Sequence, residues 1–267
     1  MRRIRVNGID IHYRIDGDGA ATRPWIVFSH SLACDHTLWD LQAEAFSRAL
    51  NVLRYDIRGH GGSSAPAGSY TMEQLADDLK GLLDGLKIGH CHFVGISLGG
   101  MIGQLATLRW PSRFASLTLA DTTSRYAPEA RGIWEQRIAA VMTPQGMNAV
   151  VPVTLERWFT AGFRQMRPDV TAKIGALIRT TPVNGYVGCA RAIAQLNLTA
   201  RLDAIACPTL VIVGDDDHST PLSMAEEIVR AIPDARLERI PNASHLTCVE
   251  QPDRFNAALR KFLLRTA

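Results

Sequence analysis

The sequence predicts an α/β fold: a mostly parallel, eight-stranded sheet with helices on both faces and a helical cap inserted near the middle of the chain. Two observations support this prediction. At both ends of the chain, short continuous apolar runs alternate with segments that carry apolar residues at helical spacing, which is typical of a parallel sheet covered on both faces. Between residues 122 and 200 this alternation stops, and helical patterns follow one another without convincing strands.

The first part of the predicted core spans residues 1–121. The pair Asn7-Gly8 lies between two apolar runs and predicts a hairpin, because Asn-Gly favours a tight two-residue turn. The predicted strands are 4–6, 9–13, 25–29, 51–55, 91–94 and 115–120. Helices are expected over 38–50, over 72–86 with Thr71 as a possible cap, and after residue 100.

The second part of the predicted core spans residues 201–267. It supplies strands at 208–213 and 235–240 and helices at 222–231 and 252–264. Residues 122–200, which we call the cap, contain helical patterns at 132–142, 147–158, 170–179 and 186–196. Because the chain has no internal repeat and no low-complexity linker, we expect one folding unit with a lid over the carboxyl edge of the sheet.

Composition narrows the classes of function. The chain has 267 residues and a net charge of +3 with scattered basic residues, which gives no reason to expect a nucleic-acid partner. No apolar run approaches the roughly 20 residues that span a bilayer, and the amino terminus lacks the apolar core of a signal peptide. The five cysteines are odd in number and lack Cys-x-x-Cys spacing, which argues against a metal site or a disulfide framework. We therefore expect a cytoplasmic protein without a membrane partner; the sequence does not indicate an oligomeric state.

One short motif points to the chemistry. The run Gly95-Ile96-Ser97-Leu98-Gly99 joins an apolar strand to a helical segment, the context in which Gly-x-Ser-x-Gly exposes a nucleophilic serine on a tight turn. The alternative is a glycine-rich turn whose serine only caps the helix. We predict that Ser97 is a nucleophile.

A serine nucleophile needs a base. Only two of the eight histidines, His218 and His245, lie beyond the cap. His245 lies in the segment 241–246, immediately after the last predicted strand, where a loop can bring its ring over Ser97, and we predict that it is the general base. His218 is expected in a surface turn.

The base needs an orienting acid from the end of an earlier strand. Asp215, Asp216 and Asp217 follow the strand at 208–213, and composition alone does not choose among them. Asp121, at the end of the strand at 115–120, is a rival position, although an aspartate there more often orders a loop.

An oxyanion hole should complete the site. One backbone amide is expected from Leu98, the residue after the nucleophile, and the other from the loop 30–33, most plausibly from Leu32. The alternative for this loop is a simple strand-to-helix turn. His30 is expected to order the loop rather than to act as an acid or base.

Several motifs together resemble the α/β-hydrolase superfamily along nearly the whole chain. They are Gly-Ile-Ser-Leu-Gly-Gly-Met at 95–101, Asp-Ile-Arg-Gly-His-Gly-Gly-Ser at 56–63, Gly214-x-x-Asp217 with Thr220-Pro221, and His245-Leu246. More narrowly, the chain is similar to the 3-oxoadipate enol-lactone hydrolases of the β-ketoadipate pathway. That similarity rests on Trp39-Asp40, Leu119-Ala120-Asp121-Thr122, residues 134–141, Glu156-Arg157-Trp158-Phe159, Thr181-Pro182-x-x-Gly185-Tyr186 and Val249-Glu250-Gln251-Pro252.

The resemblance implies a fold and a set of roles. It implies the α/β-hydrolase fold, with Ser97 as nucleophile, Asp217 as acid and His245 as base, and it supports Leu32 and Leu98 as oxyanion amides. One position departs from the pattern: such lactonases begin the oxyanion loop with Asn-Ser, whereas this chain has His30-Ser31.

The predicted reaction is cofactor-free hydrolysis of a small ester or lactone, such as an enol-lactone from aromatic catabolism. Because an enol-lactone of this kind carries a free carboxylate, the cap should offer an apolar wall and a cation. Trp134 is the candidate for the apolar wall. The alternative is that its side chain packs in the core of the cap. Arg131 and Arg137 are candidates for the cation. The alternative is that both arginines lie on a helix and are solvated.

Three other functions are compatible with parts of this pattern. They are a broad carboxylesterase, a hydrolase of carbon–carbon bonds in ring-fission products, and a ligand-binding scaffold without activity. Dehalogenases and epoxide hydrolases of this fold use an aspartate at the position of Ser97, and dienelactone hydrolases use a cysteine, so these classes are disfavoured.

Overall fold

A computed structural model describes residues 2–17, 23–127, 129 and 131–265. The predicted α/β fold is confirmed: eight strands form one sheet in the order β1-β2-β4-β3-β5-β6-β7-β8. The strands are β1 (Arg2–Val6), β2 (Ile9–Asp16), β3 (Trp25–Ser29), β4 (Asn51–Tyr55), β5 (Cys91–Ile96), β6 (Phe114–Ala120), β7 (Thr209–Gly214) and β8 (Ala235–Ile240).

Strand direction determines where the side chains of the loops meet. β2 is antiparallel to both of its neighbours, β1 and β4, and every other neighbouring pair is parallel. The chain order reverses at β3, which pairs with β4 on one side and β5 on the other. In open parallel sheets, ligands bind outside the carboxyl ends of the strands near such a reversal.

Helices cover the sheet and form the segment between β6 and β7. They are α1 (Asp40–Phe46), α2 (Met72–Gly85), α3 (Leu98–Arg109), α4 (Arg131–Val141), α5 (Val151–Trp158), α6 (Ala161–Met166), α7 (Pro168–Thr180), α8 (Val183–Ala194), α9 (Leu222–Ala231), α10 (Thr247–Glu250) and α11 (Pro252–Leu263). α4 to α8 all belong to the cap. Within the described part of the cap, the only β pairing is an isolated bridge between Arg125 and Asn197.

The buried core follows from the sequence pattern. β3, β4 and β5 are almost wholly buried, as expected of strands covered on both faces. α2 begins with a capping box, in which the Thr71 hydroxyl accepts from the Gln74 N–H and the Gln74 side chain accepts from the Thr71 N–H. None of the described helices is long and apolar enough to cross a membrane.

Two helix predictions differ from the structure, and two short helices were not predicted. In place of one helix over 38–50, a 3-10 turn at His36–Trp39 precedes α1, because the Asp35 side chain accepts from the Thr37 N–H and starts the turn earlier. The predicted helix over 147–158 is a 3-10 turn followed by α5, with Pro152 in the first turn of α5. The short helices α6 and α10 were not predicted. The division of the chain into a core of residues 1–121 and 201–267 and an inserted helical cap of residues 122–200 stays a prediction.

Candidate active site

Ser97 occupies the turn between β5 and α3 in a strained conformation. Its φ of 52° and ψ of −114° lie where residues with a side chain rarely occur. A Cβ on Gly95 would lie 2.3 Å from the Gly99 oxygen, and a Cβ on Gly99 would lie 2.1 Å from the Ser29 oxygen. The two glycines of the motif are therefore required by close packing of strand against helix, and this packing holds the serine in place.

The three side chains expected to form a triad lie in hydrogen-bond contact. The Ser97 Oγ is 3.0 Å from His245 Nε2, and His245 Nδ1 is 2.9 Å from Asp217 Oδ2. All three residues are buried, and the ring of Trp158 from α5 lies against the imidazole with 6.0 Å between ring centroids. The hydroxyl faces one ring nitrogen and the carboxylate faces the other, as general-base activation of a serine requires.

Asp217 is held by donors from its own loop. Its Oδ1 accepts from the N–H groups of Ser219 (2.7 Å) and Thr220 (3.0 Å), and its Oδ2 accepts from the Thr220 hydroxyl (2.7 Å). Burial would raise the pKa of this carboxyl, but His245 and these hydrogen bonds hold it below its usual value. Asp215 and Asp216 are exposed, so of the three adjacent aspartates only Asp217 contacts the histidine.

Asp121 lies in a different position, behind the triad. Its Oδ1 accepts from the Gly214 N–H at 3.0 Å, and its Oδ2 accepts from the N–H and the hydroxyl of Thr247. Burial raises the pKa of this carboxyl well above its usual value, and the charge of Asp217 adds to the shift. Asp121 therefore joins the end of β7 to the loop that carries His245, two residues before Thr247. His218 is exposed in a turn, as expected.

The two expected oxyanion amides lie on either side of Ser97. Leu98 is the first residue of α3, and Leu32 follows β3 and lines the same pocket as Ser97. Both residues are buried, and within the described part of the chain neither N–H donates to a protein acceptor. The Gly99 N–H donates to the His30 oxygen at 3.1 Å and so ties the loop to α3.

A pocket that is partly open to solvent reaches Ser97 from the cap. Trp134 and Arg137, both expected from the sequence to meet substrate, line it together with Ser97 and His245. The side chain of Arg131 lies outside the described residues. Other lining residues were not predicted to meet substrate, although some of them belong to the family motifs; among them are Ser31, Met101, Tyr126, Arg157, Trp158, Tyr186 and Ser219.

Two arginines make the pocket electropositive. Arg137 stacks over the Trp134 ring with its guanidinium carbon 4.6 Å from the centroid, and the Arg157 Nε donates to Ser219 Oγ at 3.1 Å. Burial, together with the charge of Arg137, lowers the pKa of Arg157 to about 10. Among the described residues, neither arginine forms an ion pair with a carboxylate. A partly buried cation that no protein carboxylate neutralises favours an anionic ligand.

A second cluster of titratable groups lies away from the pocket. His12, His36 and Asp56 are the only described histidine, cysteine and acidic residues grouped closely enough to hold a metal ion. The Asp56 carboxylate already accepts from His12 Nδ1, from His36 Nδ1 and from the N–H groups of His36 and Gly62, at 2.7–2.8 Å. Both Nδ1 atoms and both carboxylate oxygens are paired with one another, and among the described atoms of the cluster His12 Nε2 is buried without a partner. The pairing of the Nδ1 atoms and the carboxylate fits a structural network rather than a metal site.

Comparison with known proteins gives the family. A model of the α/β hydrolase fold matches residues 24–252. The chain belongs to the α/β-hydrolase family. This α/β hydrolase is 35% identical to a 3-oxoadipate enol-lactonase of Acinetobacter baylyi over 92% of its own length and 91% of the relative's. A second enol-lactonase of the same organism is 34% identical over 89% and 88% of the two chains.

Solved structures agree with these relatives. The enol-lactonase of Burkholderia xenovorans superposes with a TM-score of 0.94 at 38% identity, covering 98% of this hydrolase and 100% of that chain. A thermophilic esterase from Thermogutta terrifontis, solved with malate bound, gives a TM-score of 0.92 at 30% identity over 100% and 99% of the chains. The resemblance to enol-lactonases found in the motifs is thus confirmed across the whole chain.

Proposed function

We propose that this hydrolase cleaves a carboxylic ester or lactone through an acyl-enzyme on Ser97. The observation that supports it most is the continuous hydrogen-bonded line from Ser97 Oγ through the His245 ring to Asp217, at 3.0 and 2.9 Å, opening on the cap pocket. The proposed substrate is 3-oxoadipate enol-lactone or a similar lactone from aromatic catabolism, which agrees with the names of the relatives.

In the first half of the reaction, His245 Nε2 takes the proton of the Ser97 hydroxyl as its oxygen attacks the substrate carbonyl. The carbonyl oxygen becomes an oxyanion, and the N–H groups of Leu32 and Leu98 bind it. Asp217 holds the imidazole by Nδ1 and stabilises its protonated form. His245 then gives its proton to the leaving oxygen, the carbon–oxygen bond breaks, and in a lactone the ring opens.

In the second half, water replaces the leaving group. His245 removes a proton from the water, whose oxygen attacks the acyl carbon and regenerates the oxyanion in the same two N–H groups. Collapse of this intermediate breaks the bond to Ser97, and the proton on His245 returns to the serine oxygen. No step requires a cofactor, because the nucleophile, the proton carrier and the oxyanion donors all belong to the chain.

The two arginines of the pocket support a substrate with a carboxylate. Arg137 and Arg157 are both cations on the wall that faces Ser97, and a bound carboxylate would supply the negative charge that the described protein residues there do not. We propose that Arg157, in addition to Arg137 and Trp134, contacts the substrate. The cap then selects the ligand, whereas the core carries out the chemistry.

Labelling of the serine tests the reaction class. A fluorophosphonate probe should label wild type and leave the S97A variant unlabelled, because the probe needs an activated serine. Turnover of p-nitrophenyl acetate by S97A should fall by at least about 10³-fold. An unlabelled wild type would point to an inactive scaffold, and an S97A variant with near wild-type turnover would remove Ser97 from the mechanism.

A substrate comparison tests the carboxylate site. The R157M and R137M variants should raise KM for a carboxylated enol-lactone about 10-fold or more, since a charge-assisted hydrogen bond contributes about 1.5–3 kcal/mol. KM for uncharged p-nitrophenyl esters should change little. R179M, which removes an exposed arginine of the same cap, is the control. Better turnover of uncharged esters than of carboxylated lactones by wild type would favour a broad carboxylesterase, and preference for ring-fission products would favour a carbon–carbon bond hydrolase.

A further inference from the structure

The loop that supplies the Leu32 amide has an unusual backbone. Ala33, the next residue, has a φ of +59°, in the left-handed region that residues with a Cβ rarely adopt. The orientation of the peptide groups in such a turn is not fixed by local preference, so contacts from elsewhere in the chain must hold it. Two buried histidines, His30 and His60, provide such contacts.

His60 binds the loop from the segment that follows β4. Its Nε2 accepts a hydrogen bond from the Ala33 N–H at 3.0 Å, and its Nδ1 lies 3.1 Å from the Arg58 oxygen. An imidazole that accepts at one nitrogen and faces a carbonyl at the other is neutral and carries its proton on Nδ1. His60 is fully buried, and burial lowers the pKa of its ring to about 3, which keeps the acceptor available.

His30 makes the reciprocal connection from within the loop. Its Nδ1 lies 2.7 Å from the Ser31 oxygen, and its Nε2 accepts from the Ile57 N–H at 2.9 Å. The two imidazole rings lie edge to face, with 5.3 Å between centroids. Loop 30–33 and segment 57–60 are therefore joined by one hydrogen bond in each direction, and each histidine binds the backbone of the other's segment.

These contacts flank the peptide group that presents the Leu32 N–H. His30 fixes the Ser31 oxygen, which belongs to the same peptide group as the Leu32 N–H, and His60 fixes the Ala33 N–H on the other side of Leu32. A rotation of the peptide between residues 31 and 32 would turn the Leu32 N–H away from the site and would break the His30 contact. The pair thus acts on the direction of one oxyanion donor without touching the substrate.

We infer that His30 and His60 are positioning residues that hold the Leu32 N–H in the direction of the oxyanion. This inference rests on the proposed function, because it assigns the pair to a donor of the proposed reaction. It also accounts for the histidine at the start of the loop: an asparagine there could bond the Ser31 oxygen but would not extend to the Ile57 N–H as well.

The test compares His60 variants that differ in what they offer the Ala33 N–H. H60L keeps bulk and removes the acceptor, H60Q places an oxygen near the position of Nε2, and H60N carries an oxygen too short to reach. The control is H92L, because His92 is also buried and hydrogen-bonded, to Ser116 Oγ at 2.8 Å, but lies near the start of β5, away from the site. The readouts are kcat and KM for p-nitrophenyl acetate and the affinity of an alkyl trifluoromethyl ketone, which forms a tetrahedral oxyanion with an active serine.

A misdirected oxyanion donor lowers kcat and the affinity for the ketone, but it does not change binding of the substrate in its ground state. H60L and H60N should lose about 10- to 100-fold in kcat and a similar factor in ketone affinity, with KM within about 3-fold of wild type, whereas H60Q should recover most of both. H30L should behave as H60L does. If H60L does not fold, the comparison of H60N with H60Q decides.

Two failures are distinguishable. Folded H60L, H60N and H30L with the kcat and ketone affinity of H92L would overturn the inference and leave the proposed function intact. A wild type that reacts with neither the ester nor the ketone would overturn the proposed function, and the inference with it.

Discussion

At the scale of single residues, the site depends on where a carboxylate points rather than on its position in the sequence. Asp217 and Asp121 are both buried at the carboxyl edge of the sheet, and both accept several hydrogen bonds. Only Asp217 faces the imidazole; Asp121 accepts from the Gly214 N–H at the end of β7 and from the N–H and hydroxyl of Thr247 at the start of α10. Asp217 can therefore stabilise a charged His245, whereas Asp121 stabilises the loop that carries His245.

The D217N variant tests this difference. An amide in place of the carboxylate neither compensates an imidazolium nor favours the tautomer that leaves Nε2 free, so kcat for p-nitrophenyl acetate should fall by about 10³- to 10⁴-fold. D216N is the matched control, because Asp216 is the adjacent exposed residue, and it should stay within about 2-fold of wild type. Equal activity of the two variants would show that Asp217 does not serve the base.

Residue patterns predicted some of these side chains and not others. Ser97 and His245 follow from a motif and from chain order, because the turn and the last loop leave few alternatives. Asp217 needed the family resemblance, since three adjacent aspartates in a loop have the same local pattern. Arg157 was not predicted to contact substrate, because an arginine on a helix is usually solvated. It lines the pocket where the end of α5 meets the loops that carry Ser219 and His245.

At the scale of elements, strands were predicted closely and short helices were not. β3, β4 and β8 have the predicted bounds. In β3 and β4 a largely apolar run marks the strand in the sequence itself, whereas in β8 charged residues stand between the apolar ones. α10 has only four residues and no periodicity to detect, so its presence depends on contacts made across the fold. Glu250, its last residue, makes those contacts.

Glu250 joins the cap to the loop that carries His245. One carboxylate oxygen accepts from the N–H and the hydroxyl of Thr160, just before α6, and the other accepts from the Ser244 N–H at 2.9 Å. The His245 N–H donates to the Trp158 oxygen at 3.2 Å beside this junction. The backbone of the proposed base is therefore held by the end of α5 and the start of α6 as well as by the core.

The E250Q variant should weaken this junction. An amide has one acceptor oxygen, so its NH₂ group would face a donor, and we expect a loss of about 1–3 kcal/mol in the free energy of unfolding. We also expect kcat to fall about 10-fold, since a displacement of the base by a fraction of an ångström impairs proton transfer. Urea unfolding and ester turnover give the two values, with half-exposed Glu226 on α9, remote from this junction, changed to Gln as the control. A stable E250Q variant with full activity would mean that the core alone positions His245.

At the scale of the whole molecule, one buried carboxylate joins the antiparallel edge of the sheet to its parallel part. Asp56 follows β4 and accepts from His12 on β2, from His36 before α1, and from the Gly62 N–H. Burial alone would raise the pKa of this carboxyl, but the hydrogen bond and charge of His36 and the hydrogen bond from the Gly62 N–H hold it well below its usual value. Its ionised form thus stabilises the folded chain.

The stability of the protein should therefore depend on pH through Asp56. A carboxyl whose pKa is lower in the folded state contributes stability that is fully present above its unfolded pKa of about 3.9 and is lost as the pH falls toward the folded pKa.

The D56N variant should be less stable than wild type by about 3 kcal/mol at pH 7, because two imidazole donors and two backbone donors lose a charged acceptor. Below pH 4, the difference in the free energy of unfolding between wild type and D56N should shrink by about 1 kcal/mol per pH unit. Urea unfolding of both proteins from pH 7 to pH 3 measures this, and D253N, at an exposed aspartate of α11, should unfold near the wild-type midpoint at pH 7. A gap between wild type and D56N that stays constant down to pH 3 would show that the Asp56 carboxylate does not stabilise the fold through its charge.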